Sequence, residues 1–207
     1  HVDAVGRIES VQPDVEFHTV TVRFPERFAA NIIHRGSIAV DGISLTVAGL
    51  SAGASMAALL VTRHPERFSA LVMHSGIPPG TAHSTLSALG AMRGRRPTLP
   101  LLPTPGVMAV NWPPLLVIHG SADTVVSPHN GQAAVQVWAQ AKGARAGAVR
   151  KQQRGQRHAM SLVDFKRRGT TVATLVMVDG LAHAWSGGAA NQPFSDVHGP
   201  DASRMAG

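Results

Sequence analysis

Gly49-Leu50-Ser51-Ala52-Gly53 follows the apolar run Ile43–Val47 and opens the Ala- and Leu-rich stretch Ala52–Arg63. Strand, tight glycine turn, serine, then helix is an arrangement that presents a serine hydroxyl at the edge of a sheet. The serine must sit in a strained turn. Small neighbours are expected at Gly49 and Gly53, because side chains there would strike the adjoining strand and helix. The helix N-terminus then directs free N–H groups at the reacting centre, and the Ala52 N–H is the candidate oxyanion donor. The plainer alternative is a structural glycine turn.

The grammar continues outward from this point. His64-Pro65 ends the helix. Ala70–Met73, Leu115–Ile118 and Val172–Val178 are short apolar runs of the kind buried in a parallel sheet. Gln132–Ala141 is a helix closed by Gly143. Ile77–Pro114 holds eight of the fourteen prolines and few periodic apolar positions, which predicts a long excursion over the sheet's C-terminal edge. Strands alternating with helices specify an α/β fold.

The first 47 residues read differently. Val5–Val11, Phe17–Phe24 and Ser37–Val47 are alternating or β-branched, with turn signals at Pro13-Asp14 and Asp41-Gly42. Pro25–Arg35, closed by Gly36, has the proline start and apolar spacing of a short helix. The expected organisation is therefore a β-rich segment, 1–47, integrated into the sheet of an α/β domain, 48–207.

Two groups complete a nucleophilic site in chain order. Asp123 stands just beyond strand Leu115–Ile118 and its turn His119-Gly120, at the sheet edge beside the serine; its alternative is a turn-forming Asx residue. His183 follows strand Val172–Val178 through Asp179-Gly180-Leu181-Ala182. A neutral imidazole there would take the serine proton, and Asp123 would fix its tautomer. Of the eleven histidines, His183 has the expected position after the last strand, whereas His74 and His119 read as structural. His198 has no evident partner. No H-E-x-x-H or other metal-ligand spacing occurs, and no phosphate-binding glycine loop.

Charge and composition bound the partners. The net charge is +7, with four Arg against six acids in residues 1–47 and the excess beyond them. Between Lys142 and Arg168 nine basic residues face Asp164 alone. A nucleic-acid platform would need stacking aromatics, and only Phe165 is present, so a solvated, partly mobile connection is expected and no nucleic-acid partner. No apolar run approaches the roughly 20 residues of a spanning helix, and no membrane partner is expected. With no cysteine, disulfides and thiolate chemistry are out, while the compartment stays open.

Three motifs resemble polyhydroxybutyrate-depolymerase-type esterases of the α/β-hydrolase fold. They are Ala48-Gly49-Leu50-Ser51-Ala52-Gly53-Ala54-Ser55-Met56-Ala57-Ala58-Leu59 with His64-Pro65-Glu66-Arg67-Phe68; Val117-Ile118-His119-Gly120-Ser121-Ala122-Asp123-Thr124-Val125-Val126; and Gly180-Leu181-Ala182-His183-Ala184-Trp185-Ser186-Gly187-Gly188. The ending Gly199-Pro200-Asp201-Ala202-Ser203 is also similar, with the closing helix cut short. The resemblance implies hydrolysis of small hydroxyalkanoate, acetyl or feruloyl esters through Ser51, Asp123 and His183, with no cofactor. The family's early strands are missing, as is the loop that usually gives the second oxyanion N–H. His1–Gly6 and Gly36–Val47 resemble half of the second, Greek-key barrel of riboflavin synthase, which implies a lumazine-holding role for the positions of Ser44 and Thr46. The chain thus resembles a chimera joined near Val47: a truncated α/β-hydrolase sheet whose borrowed strand would take a central slot. Unpaired edges of half a barrel predict a homodimer or higher homo-oligomer. A catalytically silent fusion product and a lumazine- or flavin-binding fragment are the competing readings.

Overall fold

Near-continuous burial along the short apolar runs marks strands that are covered on both faces, and these strands build the main sheet. The computed structural model describes residues 7–13, 18–23, 45–82, 85–94 and 111–206. The expected helix Pro25–Arg35, most of the expected strand Ser37–Val47, and residues 95–110 of the proline-rich excursion lie outside the described residues. The chain divides into two units, His1–Ser37 and Ile38–Gly207.

In the first unit β1 (Arg7–Pro13) and β2 (His18–Arg23) pair antiparallel, with an irregularity between Ile8 and Ser10. Glu9 and Arg23 form an ion pair at 2.6 Å. Both side chains are well exposed, so this pair adds little stability.

The second unit runs β3 (Leu45–Leu50), α1 (Ala52–Arg63), β4 (Phe68–His74), α2 (Thr85–Met92), β5 (Leu115–Gly120) and α3 (His129–Lys142). Then follow β6 (Arg145–Ala146), β7 (Arg150–Gln152), β8 (Met160–Arg167), β9 (Thr170–Val178), β10 (Trp185–Ser186), β11 (Ser195–Asp196) and α4 (Ala202–Ala206). The sheet order is β3-β4-β5-β9-β8-β6, with β7 also on β8. Strands β3, β4, β5 and β9 are parallel; β8 returns antiparallel to β9. Among the described residues β3 is the outermost strand on its side. Of the first 47 residues, Leu45–Val47 lie in this sheet among the described residues.

Alternation along each strand divides the core in two. Val47, Leu71, Met73, Val117, Ala173 and Leu175 face the layer of α1 and α3. Val72, Ile118, Val176 and Val178 face the opposite side with Met160, Leu181 and Ala202. Helix α1 buries Ala54, Ala57, Ala58 and Val61, a stripe at three- and four-residue spacing, and its alanines let the helix lie close on the sheet. Trp138 of α3 is fully buried, donates Nε1–H to the Pro113 carbonyl at 3.0 Å, and rests on Trp112. Its indole is the largest buried group, and losing it would cost about 3–5 kcal/mol. Gly143 ends α3 in the left-handed conformation, as expected.

The basic stretch from Lys142 to Arg168 differs from the solvated connection expected. Much of it is strand, because Arg168 and Gly169 both take positive φ and make a two-residue hairpin turn that folds β8 onto β9. Asp164 accepts hydrogen bonds from Arg150 at 2.7 Å and Thr174 at 2.9 Å. Strands β6 and β7 keep their basic side chains exposed.

Candidate active site

The parallel strands β3, β4, β5 and β9 all point the same way, so the residues after their ends gather along one sheet edge. Ser51 follows β3, Ser75 follows β4, Asp123 follows β5 and His183 follows β9.

Ser51 adopts φ 56° and ψ −121°, a left-handed backbone that non-glycine residues avoid. Its N–H donates to the His74 carbonyl at 2.8 Å, which ties the turn to the neighbouring strand. Its carbonyl accepts from Ser55 N–H and Ser55 Oγ, each at 3.2 Å, and Ser55 Oγ in turn accepts from Ile77 N–H at 3.0 Å. A Cβ on Gly49 would collide with Gly53 backbone and stand 2.6 Å from Ala54 N, so this position requires glycine. Gly53 differs from the expectation: a Cβ there meets nothing within 4 Å. The second tight position is Gly76, where a Cβ would stand 2.7 Å from the Ala54 methyl.

Asp123 is buried and uses both oxygens. Its Oδ1 accepts Val125 N–H at 3.0 Å and Val126 N–H at 2.8 Å; its Oδ2 accepts His183 Nδ1–H at 2.8 Å. One oxygen of the carboxylate thus closes an Asx-type turn and the other accepts from His183. His119 Nε2 is 3.4 Å from the same Oδ2 and 2.9 Å from the Val126 carbonyl. Burial opposes ionisation of Asp123. Hydrogen bonds from His119, His183 and Val126 outweigh it and hold the carboxyl well below the usual carboxylate range. Because the carboxylate accepts, His183 carries its proton on Nδ1 and leaves the Nε2 lone pair free.

His74 is buried and hydrogen-bonded through both ring nitrogens. Its Nε2 accepts Ser186 N–H at 3.1 Å, so Nδ1 carries the proton and faces Ser75 Oγ at 3.2 Å. Its ring stacks on Trp185. Burial, then the nearby His119 and His183, push its pKa from 6.5 down to about 3, so it is neutral at physiological pH. His119, also buried, has no hydrogen-bond partner at Nδ1 among the described residues.

Among the described residues, Ser51 Oγ makes no hydrogen bond to His183. Catalytic hydrogen bonds are often long in the unliganded state and tighten with substrate bound. Thr46 lies exposed on β3; Ser44 falls outside the described residues. Phe194 had no signal in the sequence, yet its ring stands edge-on to His183 with centroids 6.3 Å apart.

The parallel sheet, the strained serine between strand and helix, and the Asp–His pair at one edge define an α/β-hydrolase-type protein. Residues 32–158, more than half of the chain, match the sequence model of the family Esterase PHB depolymerase, and the chain belongs to that family. The match contains Ser51 and Asp123; His183 lies beyond it. Acetyl xylan esterase from Aspergillus awamori has a similar fold, with TM-score 0.51 and 20% identity over 70% of this chain and 56% of that one. A 52-residue stretch is 46% identical to riboflavin synthase of Mycobacterium bovis and of Mycobacterium tuberculosis. It covers 25% of this chain, which therefore spans about a quarter (26%) of the length of those relatives.

Proposed function

We propose that this chain is a serine carboxylic ester hydrolase acting on short or activated esters, of hydroxyalkanoate, acetyl or feruloyl type. Ser51 Oγ attacks the acyl carbon while its proton passes to His183 Nε2. His183 returns that proton to the alcohol oxygen as the C–O bond breaks, leaving an acyl-serine. Water, deprotonated by His183, then attacks the acyl carbon, and the proton goes back to Ser51 as the acid leaves. Asp123 holds the Nδ1–H tautomer and stabilises the imidazolium. The Ala52 N–H, at the start of α1 where backbone donors have no intrahelical acceptor, stabilises the oxyanion.

The observation that carries this reading is the 2.8 Å Asp123–His183 hydrogen bond, on the same sheet edge as the strained Ser51 turn. An oxyanion hole with one donor absent loses about 10²–10³ in rate, so turnover is expected to be modest. A silent fusion product is the second reading, favoured by the missing Ser51–His183 hydrogen bond. Wild-type turnover of a short p-nitrophenyl ester decides between them, and in Ser51→Ala that hydrolysis is expected to vanish with far-UV circular dichroism unchanged. Retention of most of the activity would move the chemistry elsewhere.

A further inference from the structure

Phe194 combines three features that ordinary surface residues lack together. It is 66% exposed, although it is a large aromatic side chain. Its φ is +55°, in the left-handed region where a residue with a bulky side chain is strained. And its ring lies edge-on to His183, at an interplanar angle of 83°.

The loop is built to keep it there. β10 pairs parallel with β11, and Trp185 N–H donates to the Phe194 carbonyl at 2.7 Å. Gly187 N–H donates to the Asp196 carbonyl at 2.8 Å, and Ser195 Oγ to the Ala189 carbonyl at 2.7 Å. These bonds close the 187–194 loop on both sides of the phenylalanine. Burial gives no reason for the strain, since most of the ring is in water. Local strain that its surroundings enforce, beside a reacting group, points to a role at the site.

The chemistry of the reaction says which half of the substrate would meet the ring. His183 protonates the leaving oxygen, so that oxygen comes within hydrogen-bond reach of the imidazole. A ring whose centroid stands 6.3 Å from that of the imidazole is therefore placed beside the alcohol half of the ester. We propose that Phe194 is the alcohol-side specificity residue: it offers an apolar wall to the leaving group and favours esters of bulky apolar or aromatic alcohols over methyl esters. The inference rests on the serine-hydrolase reading of Ser51, Asp123 and His183.

The test uses acetates of methanol, butanol and benzyl alcohol, beside methyl esters of acetic and butyric acid, each read as kcat/KM. The wild-type protein is expected to prefer benzyl and butyl over methyl. An exposed wall works at the low end of what an apolar pocket discriminates, so Phe194→Ala should lower the benzyl-to-methyl ratio about tenfold. The butyrate-to-acetate ratio should stay within about twofold, because the acyl half lies elsewhere. Phe194→Gly accepts positive φ without strain and should lose the alcohol preference equally, so that folding cannot explain the result. Unchanged ratios in either variant would overturn the proposal.

Labelling of Ser51 by a fluorophosphonate separates the alternatives. Fluoride leaves without an alcohol half, so labelling reports the serine, histidine and aspartate by themselves. If labelling in Phe194→Ala falls in step with hydrolysis of every ester, the ring acts by holding His183 and the specificity proposal is wrong. A wild-type protein left unlabelled at Ser51 removes the serine-hydrolase reading and the proposal with it.

Discussion

Acidification tests the buried histidine that holds the site's loops together. His74 has an ordinary pKa of 6.5 in the unfolded chain and about 3 in the fold, because burial and the neighbouring His119 and His183 disfavour its charged form. Above pH 6.5 it is neutral in both states and costs nothing. As pH falls below 6.5 the unfolded chain takes up a proton that the native state refuses, so stability is lost steadily until the folded pKa is reached. From pH 7 to pH 4 this amounts to 2.5 pH units below 6.5, or roughly 3 kcal/mol. That is a large part of a typical folding stability of about 5–15 kcal/mol. With a urea m-value of about 2 kcal/mol per molar, the unfolding midpoint should drop by roughly 1.5 M. Asp123 also faces His74, but down to pH 4 its carboxyl is mostly ionised in both states, so it adds only about 0.3 kcal/mol over this interval. Its own stabilisation is lost only as pH falls below its ordinary value of 3.8. The assay is urea unfolding at pH 7, 5 and 4, for wild type and for His74→Gln, whose side-chain carbonyl can replace the acceptor for Ser186 N–H. The variant's midpoint at pH 7 is not the measure, since it also reports changed contact with Trp185. Its change between pH 7 and 4 should be at least halved. An equal fall in wild type and variant would refute the reasoning.

Gly49→Ala should destabilise by more than about 3 kcal/mol and destroy the serine turn, since its Cβ meets backbone that cannot give way. Gly53→Ala meets nothing and removes a helix glycine, so it should be neutral or stabilise by up to about 1 kcal/mol; thermal melts of the two variants should diverge in opposite directions. Asp123→Asn should cut kcat on a short p-nitrophenyl ester by up to about 10⁴, less than His183→Ala, because the histidine survives in a wrong tautomer. A wild-type rate in Asp123→Asn would give the orienting role to another carboxylate.

What could be read from the sequence was local. Helix α1 has the expected bounds, because Ser51-Ala52 starts it and His64-Pro65 stops it within the chain itself. Asp123 and His183 were legible because strand ends on one sheet edge bring their following residues together. Gly143 was legible because its left-handed cap is a matter of one residue. Helix α2 was not, since it lies in the proline-rich excursion and its end is held from afar. Asn130 donates to the Ala91 and Met92 carbonyls at 3.0 and 3.2 Å, and Ser127 N–H to Met92 at 2.7 Å. The strand β8 was misread because charge density hid its pairing, although Arg168-Gly169 carried the hairpin signal. Gly53 matched a motif without the steric need that the motif suggests, and Gly76 had the need without belonging to it. Phe194 belongs to no motif; its place follows from the β10–β11 pairing, which no local pattern announces.

The central claim is that Ser51 is an assembled nucleophile. Incubation of the wild-type protein with a fluorophosphonate, followed by intact mass and peptide mapping, tests it most directly. A single stoichiometric adduct on the peptide containing Ser51, absent in Ser51→Ala and strongly slowed in His183→Ala, is the predicted result. An unlabelled protein, or an adduct on another serine that persists in Ser51→Ala, would contradict it.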